Sequence, residues 1–151
     1  MIPRRASTFL VGVIALVGAG CGGGDDQLTQ AELRERGNAI CAKYERRIDE
    51  LAVPSSVQEI PAYVAKAAPI VEDEIDELEA LDPPNDDQET FDQMIAEAEK
   101  TLAAGKRLSD AAEQGDDVAV EKALNEGNAA SDRADEHARA LGLNECVDAD
   151  E

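Results

Sequence analysis

Apolar residues along this chain follow two regimes. From Phe9 to Ala19 (FLVGVIALVGA) they are nearly continuous, whereas beyond residue 28 they return at three- and four-residue steps between charged positions. The second pattern is that of helices that bury one stripe and leave the rest to solvent. Thr29 and Glu32 have capping-box spacing, and Leu33, Gly37, Ile40, Tyr44, Ile48 and Leu51 then trace one stripe that stops before Pro54. A second start lies at Ser55-Ser56, with Gln58 and Glu59 three residues on from each, and its stripe runs Ile60, Val64, Ala67, Val71, Ile75, Leu78 and Leu81. Pro61 falls in a first turn, where its missing N–H is harmless; Pro69 lies inside the pattern and is expected to kink the helix.

The run Asp82-Pro83-Pro84 ends that helix, and Asn85 with Gln88 is placed to cap the next, near Asp86 and Asp87. The third stripe, Phe91, Ile95, Ala98, Leu102, Gly105, Ser109 and Ala112, alternates steps of four and three. Gly115 supplies a C-terminal stop and Asp116 an N-cap, so the next helix must return antiparallel. Its stripe is Val120, Leu124, Gly127, Ser131, Ala134, Ala138 and Leu141, closed by Gly142 and an apolar Leu143. A turn at Gly115 sets Gly105 opposite Gly127 and Phe91 opposite Leu141, and facing small residues favour close approach of the two helices. Strand-type alternation and solenoid repeats are absent from the sequence. The expected fold is all-α, an up-down-up-down four-helix bundle over residues 29–146 followed by an acidic tail, 147–151.

The first regime reads as an address. Arg4 and Arg5 precede an apolar run too short to cross a hydrocarbon core, which needs roughly 20 residues. Residues 1–20 are therefore expected to be a cleaved signal peptide. Leu16-Val17-Gly18-Ala19-Gly20-Cys21 resembles the bacterial lipobox, which makes Cys21 the lipidation candidate, with Gly18 where that motif usually has Leu. Ordinary cleavage with release of a soluble protein is the alternative, and the Arg4-Arg5 pair leaves both the general secretory and the twin-arginine routes open. Gly22, Gly23, Gly24, Asp25 and Asp26 then read as part of a flexible tether, 21–28.

Cysteine parity agrees with this. Of three cysteines, lipidation of Cys21 leaves Cys41 and Cys146 as a pair in an oxidising compartment, with two separate reduced thiols as the alternative. For the pair to bond, the tail beyond Leu143 must fold back along the first helix by about 15 Å, within reach of a few extended residues.

Charge narrows the partners. The chain has 14 basic and 34 acidic residues, and since residues 1–20 hold Arg4, Arg5 and no acid, the remainder carries 12 − 34 = −22. Phosphate backbones are repelled by such a surface, so nucleic acid is not an expected partner, whereas a basic protein or peptide is. The clusters at Glu72-Asp73-Glu74 with Asp76-Glu77, at Asp86-Asp87 and at Asp116-Asp117 read as solvated faces and favourable helix starts, with weak cation attraction as the alternative.

Chemistry finds little footing. A di-iron bundle needs Glu-x-x-His on two helices, but the sequence has a single histidine, His137, and position 134 is alanine. Zinc and c-type haem spacings are missing, and an EF-hand begun at Asp82 fails because Pro84 takes a ligand position. Met94 lies near His137 in the expected register, which raises non-covalent haem ligation only as a remote reading. One histidine with scattered hydroxyls assembles no catalytic triad, so no enzyme and no cofactor are expected.

The lipobox, the Ile40-Cys41 helix, the Ile60-Pro61-Ala62-Tyr63-Val64 start, the Leu81-Asp82-Pro83-Pro84 break, the Asn128-Ala129-Ala130-Ser131 stretch and the Leu141-Gly142-Leu143-Asn144-Glu145-Cys146 ending go together. In these features the chain resembles the small, uncharacterised helical lipoproteins of high-GC Gram-positive bacteria. That resemblance implies an extracytoplasmic, lipid-anchored location on the cell membrane and brings no activity with it. The expected function is a non-catalytic binding or interaction module of the cell envelope; a carrier of a small ligand or cation, held in the bundle interior or by the acidic clusters, is the alternative.

Overall fold

The computed structural model describes residues 27–147; the expected signal peptide, Cys21 and residues 148–151 lie outside them. The described chain is an all-α four-helix bundle: α1 (Gln30–Asp49), α2 (Ile60–Glu79), α3 (Asn85–Gln114) and α4 (Asp117–Leu141). Two 3-10 turns, Val57–Glu59 and Asn144–Cys146, complete it.

Local chemistry sets most helix ends. The Thr29–Glu32 capping box forms in both directions, with Thr29 N–H donating to Glu32 Oε2 at 2.9 Å and Glu32 N–H to Thr29 Oγ1 at 3.3 Å. Gly115 and Gly142 end α3 and α4 in the left-handed region, at φ 66° and 77°, which glycine enters without a Cβ clash. Asp116 then caps α4 by accepting from Ala119 N–H at 3.0 Å.

Two starts differ from expectation. The Glu59 side chain takes up Ser55 N–H at 2.7 Å and Ser55 Oγ, but this stabilises the 3-10 turn, and α2 begins only at Ile60, with Pro61 in its first turn. Asn85 is not the cap of α3. Pro84 holds that position, and Asn85 is the first helical residue, its Oδ1 occupied by Gln27 Nε2 at 3.0 Å. Helix α2 runs on through Pro69, which leaves the exposed Ala65 carbonyl without its helical donor.

The packed body begins at the end of the expected tether. Leu28 is buried, and its N–H donates to the Asp82 carbonyl at 2.8 Å, fastening the chain entry to the α2–α3 loop. The large core residues gather at this end, where Leu33 of α1, Leu78 of α2, Phe91 and Met94 of α3, and Leu141 of α4 form one cluster with Leu143.

Antiparallel register is visible in the ion pairs. Lys43 meets Glu77, and Arg47 meets Asp73 at 3.3 Å, across α1 and α2; Arg133 and Glu97 pair at 2.8 Å, and Arg107 and Glu126 at 3.0 Å, across α3 and α4. Buried Tyr44 donates its hydroxyl to Glu77 at 2.8 Å, and burial together with that carboxylate pushes its pKa up. Part of the acidic cluster on α2 is thus not merely solvated: Glu72 (paired with Lys106), Asp73 and Glu77 stitch α2 to both neighbours.

Helices α3 and α4 approach through alanines, one position around from the expected stripe. Ala104 and Ala111 of α3 and Ala123 and Ala130 of α4 are buried, while Leu124 is 43% exposed. A Cβ added to Gly127 would lie 3.4 Å from Ala104 Cβ, whereas one added to Gly105 would meet nothing within 4 Å. The expected Gly105–Gly127 contact is therefore replaced by Ala104–Gly127. The helices need only small side chains on the face they share, and Ala104 provides it, which turns Gly105 toward the bundle centre.

Candidate ligand-binding cleft

The turned-away stripe has a consequence at the bundle centre. Gly105, Ala98, Ser131 and Ala134 point where four helices converge, and their side chains are too small to fill the space. A cleft of about 460 Å³ results, within the range of roughly 300–1,000 Å³ common to small-molecule sites. Helix α2 lines it with Val64, Ala67 and Val71, α3 with Ile95, Leu102 and Gly105, and α1 with Cys41 and Ile48. Among the described residues α1 meets α4 mainly through the Asn144–Cys146 turn, which touches both, rather than directly.

That turn is fixed by residues spread along α1. Arg34 Nε donates to the Leu141 carbonyl at 3.0 Å, and Asn38 Nδ2 to the Gly142 carbonyl at 3.2 Å. Asn38 Oδ1 accepts from Glu145 N–H at 2.8 Å, and Leu143 lies against Gly37. The path ends at Cys41 and Cys146, whose Cα atoms are 5.0 Å apart and whose sulfurs lie at bonding distance, 1.96 Å. The fold-back expected of the tail is present, and the disulfide and Val147 form part of the cleft wall.

Polar groups sit at specific places around the apolar lining. Asp135 is only 4% exposed and pairs with Arg139, one turn on, at 3.4 Å. Thr101 donates its hydroxyl to the Glu97 carbonyl at 3.1 Å. Among the described residues no buried side-chain nitrogen or oxygen lacks a partner, so nothing inside asks for a hydrogen bond from a ligand. Glu45, Glu74 and Glu145 also line the cleft. The register that sets Arg47 against Asp73 brings Glu45 level with the Glu74–Ile75 step, and Glu145 adjoins the disulfide one turn before Glu45.

Of the residues singled out in the sequence, the structure unites Cys41 with Cys146 and places Gly105 in the cleft, but parts Gly105 from Gly127. Met94 lines the cleft and His137 does not. Among the described residues no group of three His, Cys, Asp or Glu side chains is arranged to hold a metal ion. No helix among them is long and apolar enough to cross a membrane. In the sequence the cleft is visible only as the alternative of a small ligand held in the bundle interior, and its signal is the small residues at successive central positions of two neighbouring stripes. Comparison of the chain with protein-family models, with curated proteins and with solved structures finds no match.

Proposed function

We propose that this protein is a non-catalytic binding module of the cell envelope, tethered to the membrane by lipid on Cys21, whose bundle interior takes a small apolar ligand. The cleft of about 460 Å³, lined by all four helices, carries the reading. Ligand sites between the helices of bundles are a recurring arrangement, and burial of apolar ligand surface supplies the driving force. Attachment rests on the leader and on Cys21 in the sequence. Two acyl chains suffice for stable anchoring where one does not. Residues between Cys21 and Leu28 reach at most about 25 Å when extended, so the end of the bundle bearing Leu28 and the α2–α3 loop faces the bilayer.

Two measurements test this. Intact mass of membrane-extracted protein, with and without reduction, should show an acylated N-terminus at Cys21 and one disulfide. An unmodified product in culture fluid sinks the tether. Binding of the neutral apolar dye N-phenyl-1-naphthylamine should be saturable and abolished by Gly105→Leu, which projects a side chain into the cleft from a position with free space. Dye binding that survives Gly105→Leu sinks the cleft.

The alternative, docking of a basic protein or peptide on the acidic faces, draws on the surplus of carboxylates. Pull-down from envelope extract that loses its partner in moderate salt supports it.

A further inference from the structure

The cleft is long for its volume. On α3 its wall is the strip Met94, Ala98, Thr101 and Gly105, and on neighbouring α2 the strip Val64, Ala67, Val71, Ile75 and Leu78. Steps of three and four keep each strip on one line along its helix. At about 1.5 Å per residue the α3 strip is about 16 Å long, whereas a sphere of the cleft's volume, about 460 Å³, would be only about 10 Å across. The space is therefore a slot running along the helices, not a compact hole. Apart from Thr101 both strips carry only apolar, non-aromatic residues, and Tyr63 is the single aromatic of the lining among the described residues. Thr101 spends its hydroxyl on the Glu97 carbonyl. The acidic residues of the lining add no unmet demand: Asp135 is paired with Arg139, Glu74 is itself engaged, and Glu45 and Glu145 are exposed to water.

From this shape and lining we infer that the ligand is a single-chain amphiphile whose one unbranched hydrocarbon chain lies extended along the slot. The inference rests on the cleft being a ligand site. A narrow aliphatic wall buries methylene groups along their whole length, and since no buried polar side chain lacks a partner, the buried part of the ligand needs no heteroatom. A compact ring system of equal volume would leave the ends of the slot unfilled, and unfilled space forfeits contacts. Length then becomes a criterion of selection. Successive carbons of an extended chain, joined by bonds of about 1.5 Å at near-tetrahedral angles, advance about 1.25 Å, so about 13 of them fill the slot. Methylenes beyond that number project into water and add nothing.

The test uses the full mature chain carrying Cys21→Ser, so that its own acyl chains do not compete, and neutral probes, so that the negative charge of the protein plays no part. Octyl, decyl, dodecyl, tetradecyl and hexadecyl maltoside, each below its critical micelle concentration, displace N-phenyl-1-naphthylamine. Affinity should climb by up to about fourfold per methylene, equivalent to about 0.8 kcal/mol, and level off between dodecyl and tetradecyl. Straightness is read separately with trans- and cis-dodec-7-en-1-ol, which share composition and head but not shape; the straight trans isomer should bind several-fold more tightly. A second chain should add nothing, so dioctanoylphosphatidylcholine should bind within about twofold of its one-chain counterpart, a difference of about 0.4 kcal/mol. Equal binding of the trans and cis alcohols, affinity that is flat from octyl to dodecyl or still climbing at hexadecyl, or a large gain from the second chain overturns the inference. Each of these leaves the cleft reading intact, provided Gly105→Leu still abolishes dye binding. Dye binding that is absent, or that survives Gly105→Leu, overturns both readings.

Discussion

Leu143 occupies the space that a side chain at position 37 would need. A Cβ built on Gly37 lies 2.6 Å from Leu143 Cδ2, and Leu143 is fully buried, at 0% exposure. The contact holds the tail to α1 three residues before the fold-back turn reaches Cys146. Ordinarily a Gly→Ala change inside a helix gains up to about 1 kcal/mol. Here it must displace a locked core leucine, at a cost of about 1–3 kcal/mol. Gly37→Ala should therefore lower stability in urea denaturation. In a Leu143→Ala background, itself about 2–5 kcal/mol less stable, the same change should become neutral or stabilising. Loss of stability from Gly37→Ala in both backgrounds would mean that the two residues are not coupled.

The disulfide closes a sequence separation of 105 residues. In the chain-entropy account a loop near that length restrains the unfolded chain by about 4–5 kcal/mol. The paired Cys41→Ser, Cys146→Ser variant should be destabilised by that order, and reduction of the native protein should reproduce the loss. Because the bond also walls the cleft, dye affinity should fall in conditions where the helices persist by far-ultraviolet circular dichroism. Unchanged stability on reduction would show that the Asn38 and Arg34 hydrogen bonds hold the tail alone.

Gly105 and Gly127 look alike in sequence, each at mid-height of a stripe, yet the structure separates them. Gly105 has open space around an added Cβ, and Gly127 has Ala104 at 3.4 Å. Gly105→Ala should gain up to about 1 kcal/mol, the full helix-propensity difference. Gly127→Ala should gain less, because part of that benefit is spent on crowding Ala104. Melting temperatures of the two variants, compared with the parent, decide it, and a larger gain at Gly127 would put the close approach of α3 and α4 elsewhere.

This pair also marks how far the fold is legible in the sequence. Four helices, the Thr29–Glu32 box, the Gly115 and Gly142 stops and the proline break each follow from local chemistry and are present as read. Local pattern tells which residues point inward. It does not tell which inward residues find a neighbour, because that depends on the distance and rotation between helices. Ala104 and Ala123, beside the stripes, form the α3–α4 contact, and the stripe residues Gly105 and Ser131 are left facing the cleft. Ile70 and Asp135 show the same limit, since each is buried although neither lies on its expected stripe. Cys41 and Cys146, 105 positions apart in sequence, are brought together only through the fold-back of the tail.

Glu97 sets an acid-range signature. Arg133 reaches it at 2.8 Å and Lys100 at 2.7 Å, and these hydrogen bonds hold its carboxyl below its ordinary value of 4.5. A carboxylate depressed in the folded state contributes stability that is fully present above its ordinary value and disappears as pH falls through the lower, folded one. The stability difference between the native protein and Glu97→Gln should thus be constant near neutral pH and shrink below about 4.5. Protonation of the many other carboxylates relieves self-repulsion over the same range, but it does so in both proteins, and the difference removes it. Urea midpoints measured across the acid range for the pair give the answer. A gap that stays level, or widens, as the solution is acidified would mean that Arg133 and Lys100 do not hold Glu97 ionised in the folded protein.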